Sequence, residues 1–265
     1  MTMMSDQARP KPDAIVAYKS TAERELSLHI FQPLGEGSGE PKPALVFFFG
    51  GGWKGGSPEQ FYHHCRHFAS RGMVAMAAEY RTEKPDGTSP KECVKDGKSA
   101  IRWVREHAPE LGIDPNQVVG GGGSAGGHVA AACATLMGFN EDGEDVDTSS
   151  VPDALVLFNP VFDNGPGGYG HDRVEGYWEE FSPMHNLSDI SPPTIVLMGT
   201  EDNLLPVETG EEYKGRMEEL GRRCDLILYD GQKHGFFNHG SSLDNYQKTV
   251  KAADDFLVSL GLLQP

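Results

Sequence analysis

Ser124 lies in the run Val118-Val119-Gly120-Gly121-Gly122-Gly123-Ser124-Ala125-Gly126-Gly127-His128, which holds a Gly-x-Ser-x-Gly motif from Gly122 to Gly126. A β-branched pair leads into it and a helix-forming run, Val129 to Met137, leads out. Strand, sharp turn and helix are the setting of a nucleophile elbow, in which the serine is held in a strained backbone conformation with its hydroxyl above the sheet. Glycines flank such a turn because a Cβ there meets neighbouring backbone. The same geometry puts the Ala125 N–H at a helix N-terminus, where it can face a developing oxyanion. A glycine-rich turn with an incidental serine carries the same letters, so the motif needs support from the rest of the chain.

A serine nucleophile requires a base, and the base requires an orienting carboxylate. On an elbow-type sheet the three come in the order Ser, acid, His, with the last two in loops after late strands. Both positions are filled. The apolar run Thr194–Met198 is followed by Gly199-Thr200-Glu201-Asp202-Asn203, and the run Leu226–Tyr229 by Asp230-Gly231-Gln232-Lys233-His234-Gly235-Phe236. Asp202 is the favoured acid over its neighbour Glu201 and over Asp163, which follows an earlier strand. His234 is the favoured base, because Gly231 and Gly235 let its loop bring the ring over the sheet edge. His128 comes too early in the chain for that role; it is expected to pack, or to line the pocket. His63 and His67 stand at i and i+4 with no third ligand nearby, so they read as a solvated helix face. Cys65, Cys93, Cys133 and Cys224 lack metal or redox spacing and read as buried free thiols. No metal or cofactor is expected. Gly50-Gly51-Gly52, directly after the apolar run Ala44–Phe49, offers backbone amides unobstructed by side chains, as an oxyanion hole needs.

The elements that must position these groups follow from periodicity. Residues 1–12 read as a disordered N-terminus, Asp13–Ser20 and Glu25–Gln32 as two strands joined by a turn, and Gly35–Pro43 as a Gly/Pro loop. Continuous apolar runs at 44–49 and 73–78 read as strands covered on both faces. Ser57, Pro58 and Gln60, and again Ser89, Pro90 and Glu92, have capping-box spacing ahead of helices. Gln117–Val119, Ala154–Phe158, Thr194–Met198 and Leu226–Tyr229 supply further strands. Helices are expected over 207–220 and from about 243 to 260. Alternating strands and helices give an α/β domain over 13–265, with a mostly parallel doubly wound sheet, helices on both faces and an antiparallel edge. Residues 163–191 break the rhythm and read as a small lid or pocket-wall insert.

The 265 residues suffice for one large core. A net charge of −16 argues against nucleic acid and against anionic membrane surfaces. No apolar run approaches a membrane span and the start lacks the apolar region of a signal peptide, so as it stands the sequence reads as soluble and cytoplasmic, with the compartment left open because a signal can be removed. The oligomeric state is not legible.

Four of these motifs together resemble the α/β-hydrolases of the bacterial hormone-sensitive-lipase-like esterases, near their carbohydrate (acetyl, feruloyl) esterase branch. Gly50-Gly51-Gly52-Trp53 is similar to that family's His-Gly-Gly-x-Trp, Gly123–Gly127 to its elbow, Gly199-Thr200-x-Asp202 to its acid loop, and His234-Gly235-Phe236-Phe237-Asn238 to its base loop. The likeness covers roughly residues 40–260. Phe49 stands where the family has His, a residue thought to support the glycine loop. The resemblance implies an α/β-hydrolase fold and a serine carboxylesterase with Ser124, Asp202 and His234 as triad and the Gly50, Gly51 and Ala125 amides as oxyanion hole. The expected substrate is a small-molecule or saccharide ester with a short acyl group. Trp53, next to the glycines, is expected to crowd the acyl carbon, and Tyr169 and Trp178 of the insert to offer aromatic faces to a sugar or phenolic alcohol. A mean hydropathy of −0.44 and the polar N-terminal forty residues argue against a lipase's exposed apolar patch. The same machinery would serve a formamidase-type amide hydrolase. A non-catalytic receptor on a hydrolase scaffold is disfavoured, because all three triad types are present.

Overall fold

The computed structural model of the chain describes residues 9–34 and 39–265. Residues 1–8 of the expected disordered N-terminus, and 35–38 of the expected Gly/Pro loop, lie outside the described residues. Among those described, eight strands form one sheet: β1 (Ala14–Ser20), β2 (Glu25–Phe31), β3 (Lys42–Phe48), β4 (Val74–Ala78), β5 (Ile113–Gly123), β6 (Ala154–Phe158), β7 (Thr194–Gly199) and β8 (Cys224–Tyr229), in the order β1-β2-β4-β3-β5-β6-β7-β8. β2 is antiparallel to both β1 and β4, and every later pairing is parallel. The antiparallel edge therefore falls where two strands follow each other with no helix between.

β4, β6 and β7 are buried along their whole length, as continuous apolar runs require when both faces of a sheet are covered. The principal covering helices are α1 (Tyr62–Ser70), α2 (Pro90–Glu106), α3 (Ala125–Thr135), α4 (Val207–Glu219) and α5 (Leu243–Ser259). Every strand expected from the sequence is present. β5 begins at Ile113, four residues before the expected Gln117; its register against β3 breaks between Lys42 and Ala44, beside Pro43 and Pro115, which cannot donate to a ladder.

The two capping patterns diverge. Ser89 and Glu92 form the expected reciprocal box at the start of α2. Ser57 caps only Glu59, at the head of a 3₁₀ turn, Pro58–Phe61, that precedes α1, and the side chain of Gln60 is directed elsewhere. All four cysteines are buried free thiols. Among the described residues no helix is long and apolar enough to cross a membrane.

Glycines in β5 make room for aromatic rings near the site. A Cβ on Gly121 would stand 2.6 Å from the Phe47 ring, and one on Gly123 2.4 Å from that of Phe237. Phe158 and Phe237 stack at 4.8 Å, and Phe47 and Phe61 at 4.6 Å, giving the site a floor of rigid aromatic packing.

Candidate active site

β5 runs between β3 and β6 and carries Ser124 to the C-terminal edge of the sheet. Ser124 has φ 55° and ψ −123°, a conformation costing about 1–3 kcal/mol that surrounding contacts must hold. Its N–H donates to the carbonyls of Phe158 (3.0 Å) and Asn159 (3.1 Å), and its own carbonyl accepts from His128 (3.0 Å) and Val161 (3.3 Å). The glycines are enforced by contact: a Cβ on Gly126 would lie 2.0 Å from the Phe48 carbonyl oxygen, and one on Gly122 2.4 Å from that of Gly126. Ala125 opens α3, so its N–H has no intrahelical partner.

Asp202 and His234 meet as expected, His234 Nδ1 lying 2.7 Å from Asp202 Oδ2. The acid is tied down on all sides. Asn159 Nδ2 donates to Oδ2 at 2.5 Å, and the Leu204 and Leu205 amides donate to Oδ1 at 2.8 and 3.1 Å. Burial works to raise the Asp202 carboxyl, but the His234 hydrogen bond and these donors outweigh it and hold it below the usual value. The competing acids are elsewhere: Asp163 accepts from the Gly165 amide within the insert (2.7 Å), and Glu201 is exposed. Asn159 was not singled out from the sequence. It adopts φ 41° at the end of β6, and its backbone touches the elbow while its side chain touches the acid. The Asn-Pro pair at the strand end was the one local signal for it, and it marks only a turn.

Ser124 and His234 line the same cavity, of about 410 Å³, with Gly50, Gly51, Gly52, Lys54, Gln60, Tyr169, Leu204, Gly235, Phe237 and Asn238. No hydrogen bond joins the Ser124 hydroxyl to His234; such contacts are commonly long until substrate is bound. His128 is a packing residue. It is fully buried, its Nε2 contacts the Phe181 carbonyl at 3.1 Å, and burial lowers its pKa to about 3.

Three expected site residues are corrected. The Gly50 N–H donates to Gln60 Oε1 at 2.6 Å, so it is not available to an oxyanion, whereas no partner engages the Gly51, Gly52 or Ala125 amides among the described residues. Trp53 does not border the cavity; only 1% exposed, with φ 58°, its indole lies edge-on to His128 (5.0 Å) and against Phe181, beneath the Arg173 guanidinium at 4.9 Å. Adjacency to Gly52 in sequence did not translate, because the positive φ turns the side chain into the core. Trp178 borders a separate surface depression with Glu175, Glu179 and Glu180 and packs on His185. Tyr169 alone of the three aromatic candidates reaches the cavity, its hydroxyl standing 2.8 Å from where a Gly52 Cβ would be. His63 stacks on His239 at 3.6 Å and His67 pairs with Asp254 at 3.2 Å, so neither presents the free face the sequence suggested.

The family model described as BD-FAE matches residues 28–159, and that of the dienelactone hydrolase family matches 169–259. Esterase 2 of Thermogutta terrifontis is 42% identical; its structure phosphoramylated by tabun superposes with a TM-score of 0.92, covering 99% of this chain and 100% of that one. Its propionate-bound structure gives 0.89 at 42% identity, covering 95% and 96%. A probable isoprenylcysteine alpha-carbonyl methylesterase of rice (Oryza sativa subsp. japonica) is 27% identical over 74% of this chain and 52% of its own length. An acetylxylan esterase of Xylanibacter ruminicola is 27% identical over 73% of this chain and 41% of its own. The chain thus spans about half the length of the curated relatives it matches. Fold, elbow and full-length likeness agree: the chain belongs to the α/β-hydrolase esterase family. Within it, the likeness to the Thermogutta esterase extends over essentially the whole chain.

Proposed function

We propose that the protein is a serine carboxylesterase that cleaves short-chain, acetyl-type esters through an acyl-enzyme on Ser124. The observation that carries this reading is the His234–Asp202 pair, 2.7 Å apart, at the cavity that also receives the strained Ser124. With Nδ1–H directed at Asp202, the neutral imidazole has its lone pair on Nε2, ready for the serine proton. Ser124 Oγ attacks the ester carbonyl as His234 takes that proton, and Asp202 stabilises the resulting imidazolium. The amides of Gly51, Gly52 and Ala125 receive the oxyanion, in place of the set with Gly50. His234 then protonates the leaving alcohol, and water, deprotonated by His234 in turn, releases the acid. Apart from the ester and water, these steps use only protein groups.

The short acyl preference rests on bulky walls, Tyr169, Leu204 and Phe237, and is supported by the propionate bound to the Thermogutta relative. A carbohydrate or phenolic alcohol is supported by the Tyr169 face and by the acetylxylan esterase relative. Residues 163–191 are read as the pocket-wall insert of a single domain, through Tyr169.

The test is a p-nitrophenyl ester series from acetate to decanoate, run beside acylated sugars, aryl esters and an N-formyl aromatic amide. Specificity should fall steeply beyond butyrate. Ser124→Ala and His234→Ala should each lower kcat by about 10⁶, and the double variant hardly further, because such groups act as a unit. An organophosphate should modify Ser124, read by peptide mass. A maximum at octanoate or longer, additive losses, or preference for the amide would reject the reading; an unreactive, inactive wild type would leave a binding scaffold.

A further inference from the structure

Gln60 was expected to complete a helix cap. Instead its side-chain amide lies between two loops of the site and borders the cavity. Its Oε1 accepts the Gly50 N–H at 2.6 Å, and its Nε2 donates to Asn238 Oδ1 at 2.9 Å. Asn238 Nδ2 in turn donates to the Gly235 carbonyl at 2.8 Å. The direction of this relay is forced at both ends. A backbone N–H can only donate and a backbone carbonyl can only accept, so neither amide can be reversed without losing both of its bonds.

The first link has mechanical force because of what holds the other end of the same peptide. Phe49 C=O and Gly50 N–H belong to one planar unit. The Tyr80 hydroxyl donates to that carbonyl at 2.5 Å, while Gln60 accepts the N–H. A plane gripped at both ends cannot rotate, and it is the last peptide of ordinary conformation before Gly51 and Gly52, at φ 139° and 62°. With no Cβ to restrict it, a glycine pair would otherwise sample many orientations. Gly50 also abuts the elbow, since a Cβ there would be 3.0 Å from the Gly123 oxygen and 3.2 Å from Ser124 Cβ. The second link ends on Gly235, the residue after His234, at φ 78°.

We infer that Gln60 is a positioning residue that fixes the glycine loop and the His234 loop in a common frame, so that oxyanion donors and base keep their spacing across the cavity. The inference rests on the esterase reading above. Gln60 itself makes no chemistry; it acts through Gly50 on one side and Asn238 on the other. In this chain it also does what the side chain at position 49 cannot, since the Phe49 ring offers no hydrogen bond and stacks on Tyr80 at 4.1 Å.

The test compares Gln60→Met, which keeps length and packing but removes both hydrogen bonds, with Gln60→Glu, which keeps the acceptor for Gly50 and loses the donor to Asn238. Thermal melting, kcat and KM on p-nitrophenyl acetate, and affinity for a trifluoromethyl ketone analogue of the tetrahedral intermediate are measured on each. Gln60→Met should lower kcat by about 10–100-fold, the scale of a misplacement near 1 Å, with KM changed less than about twofold. Affinity for the ketone should fall by the same factor as kcat/KM. Gln60→Glu should recover part of the loss, because its carboxylate still accepts from the Gly50 N–H. Asn238→Ala should cost less than Gln60→Met, and combining the two should add little, because one relay has already been cut. If Gln60→Met fails to fold, Gln60→Glu and Asn238→Ala decide through the same ratio. A Gln60→Met enzyme with kcat within twofold of wild type, or strictly additive losses, would overturn the inference while the esterase reading stands. A wild type that neither turns over esters nor reacts with an organophosphate would overturn both.

Discussion

The elbow around Ser124 and the glycine loop from Gly50 to Gly56 face each other across one cavity, yet they are held by different means. The elbow is held by backbone. Strand ends supply the acceptors for Ser124 N–H, and glycines admit neighbouring carbonyls to within distances no Cβ tolerates. The glycine loop shares such backbone contacts, a Gly51 Cβ falling 2.0 Å from the Gly55 oxygen, but it also depends on side chains from elsewhere: Tyr80 on the Phe49 carbonyl, Gln60 on the Gly50 amide and Arg173 on the Gly52 carbonyl. A site of this kind pairs a serine braced by backbone alone with loop amides whose position also depends on three separate side chains. The first should therefore fail abruptly when altered and the second by degrees.

The largest effect is expected at the elbow. Gly126→Ala places a methyl 2.0 Å from the Phe48 oxygen and 2.4 Å from that of Phe49, backbone atoms of the central strand and its end. It should yield little folded protein, read by circular dichroism and soluble yield; a stable, active variant would mean the elbow is far softer than its contacts imply. Next comes Asp202→Asn, which should lower kcat by about 10⁴ by stabilising the wrong tautomer of His234, with melting temperature little changed. Asp163→Asn, outside the pair, should be mild, and the reverse ranking would assign the acid to Asp163.

Trp53→Ala should act on stability, by about 3–5 kcal/mol in denaturant unfolding, because the indole is buried in packing. The acyl-length profile of whatever enzyme remains folded should keep its shape; a flattened profile would place the indole at the substrate after all. On the glycine-loop side, Arg173→Ala removes one of three holds and should lower kcat by roughly tenfold, about 1.4 kcal/mol, with the chain still folded. A loss as large as that of Asp202→Asn would erase the contrast between the two regions.

The smallest effect per step is acid weakening. His64 and His128 are buried neutral, each with its pKa lowered by burial from 6.5 to about 3. Between those values the unfolded chain binds protons that the fold refuses, so stability is intact above pH 6.5 and declines as pH falls towards 3. Each contributes about 1.4 kcal/mol per pH unit in that window. Melting temperature should therefore drop from pH 6.5 to 5, less so in His128→Gln, and a flat profile would show that the two rings take up protons in the fold.

Much of this molecule is legible in the sequence because its causes are local. Continuous apolar runs are strands covered on both faces, as β4, β6 and β7 are, and the remaining strands also fall where the sequence put them. Gly-x-Ser-x-Gly after a β-branched pair describes a turn whose requirements are met within a few residues. Asp202 and His234 could be chosen because each follows a late strand, and parallel strands deliver such loops to one edge. Trp53 and Trp178 were misplaced because neighbourhood in sequence says nothing about direction: one positive φ sends Trp53 into the core, and Trp178 turns away within the insert. Asn159 and Gln60 carried no pattern beyond a strand end and a cap.

By itself, then, the sequence determined the strands, the elbow and the meeting of Ser124, Asp202 and His234 at one sheet edge, since backbone restriction and burial act over short stretches. Only the tertiary structure decided which amides of the glycine loop are free. The holds on that loop come from partners 10, 31 and 121 residues away, and the link onward to the base loop spans 178. A hydrogen bond selects by distance in space, and at such separations the chain leaves no periodic trace of its choice.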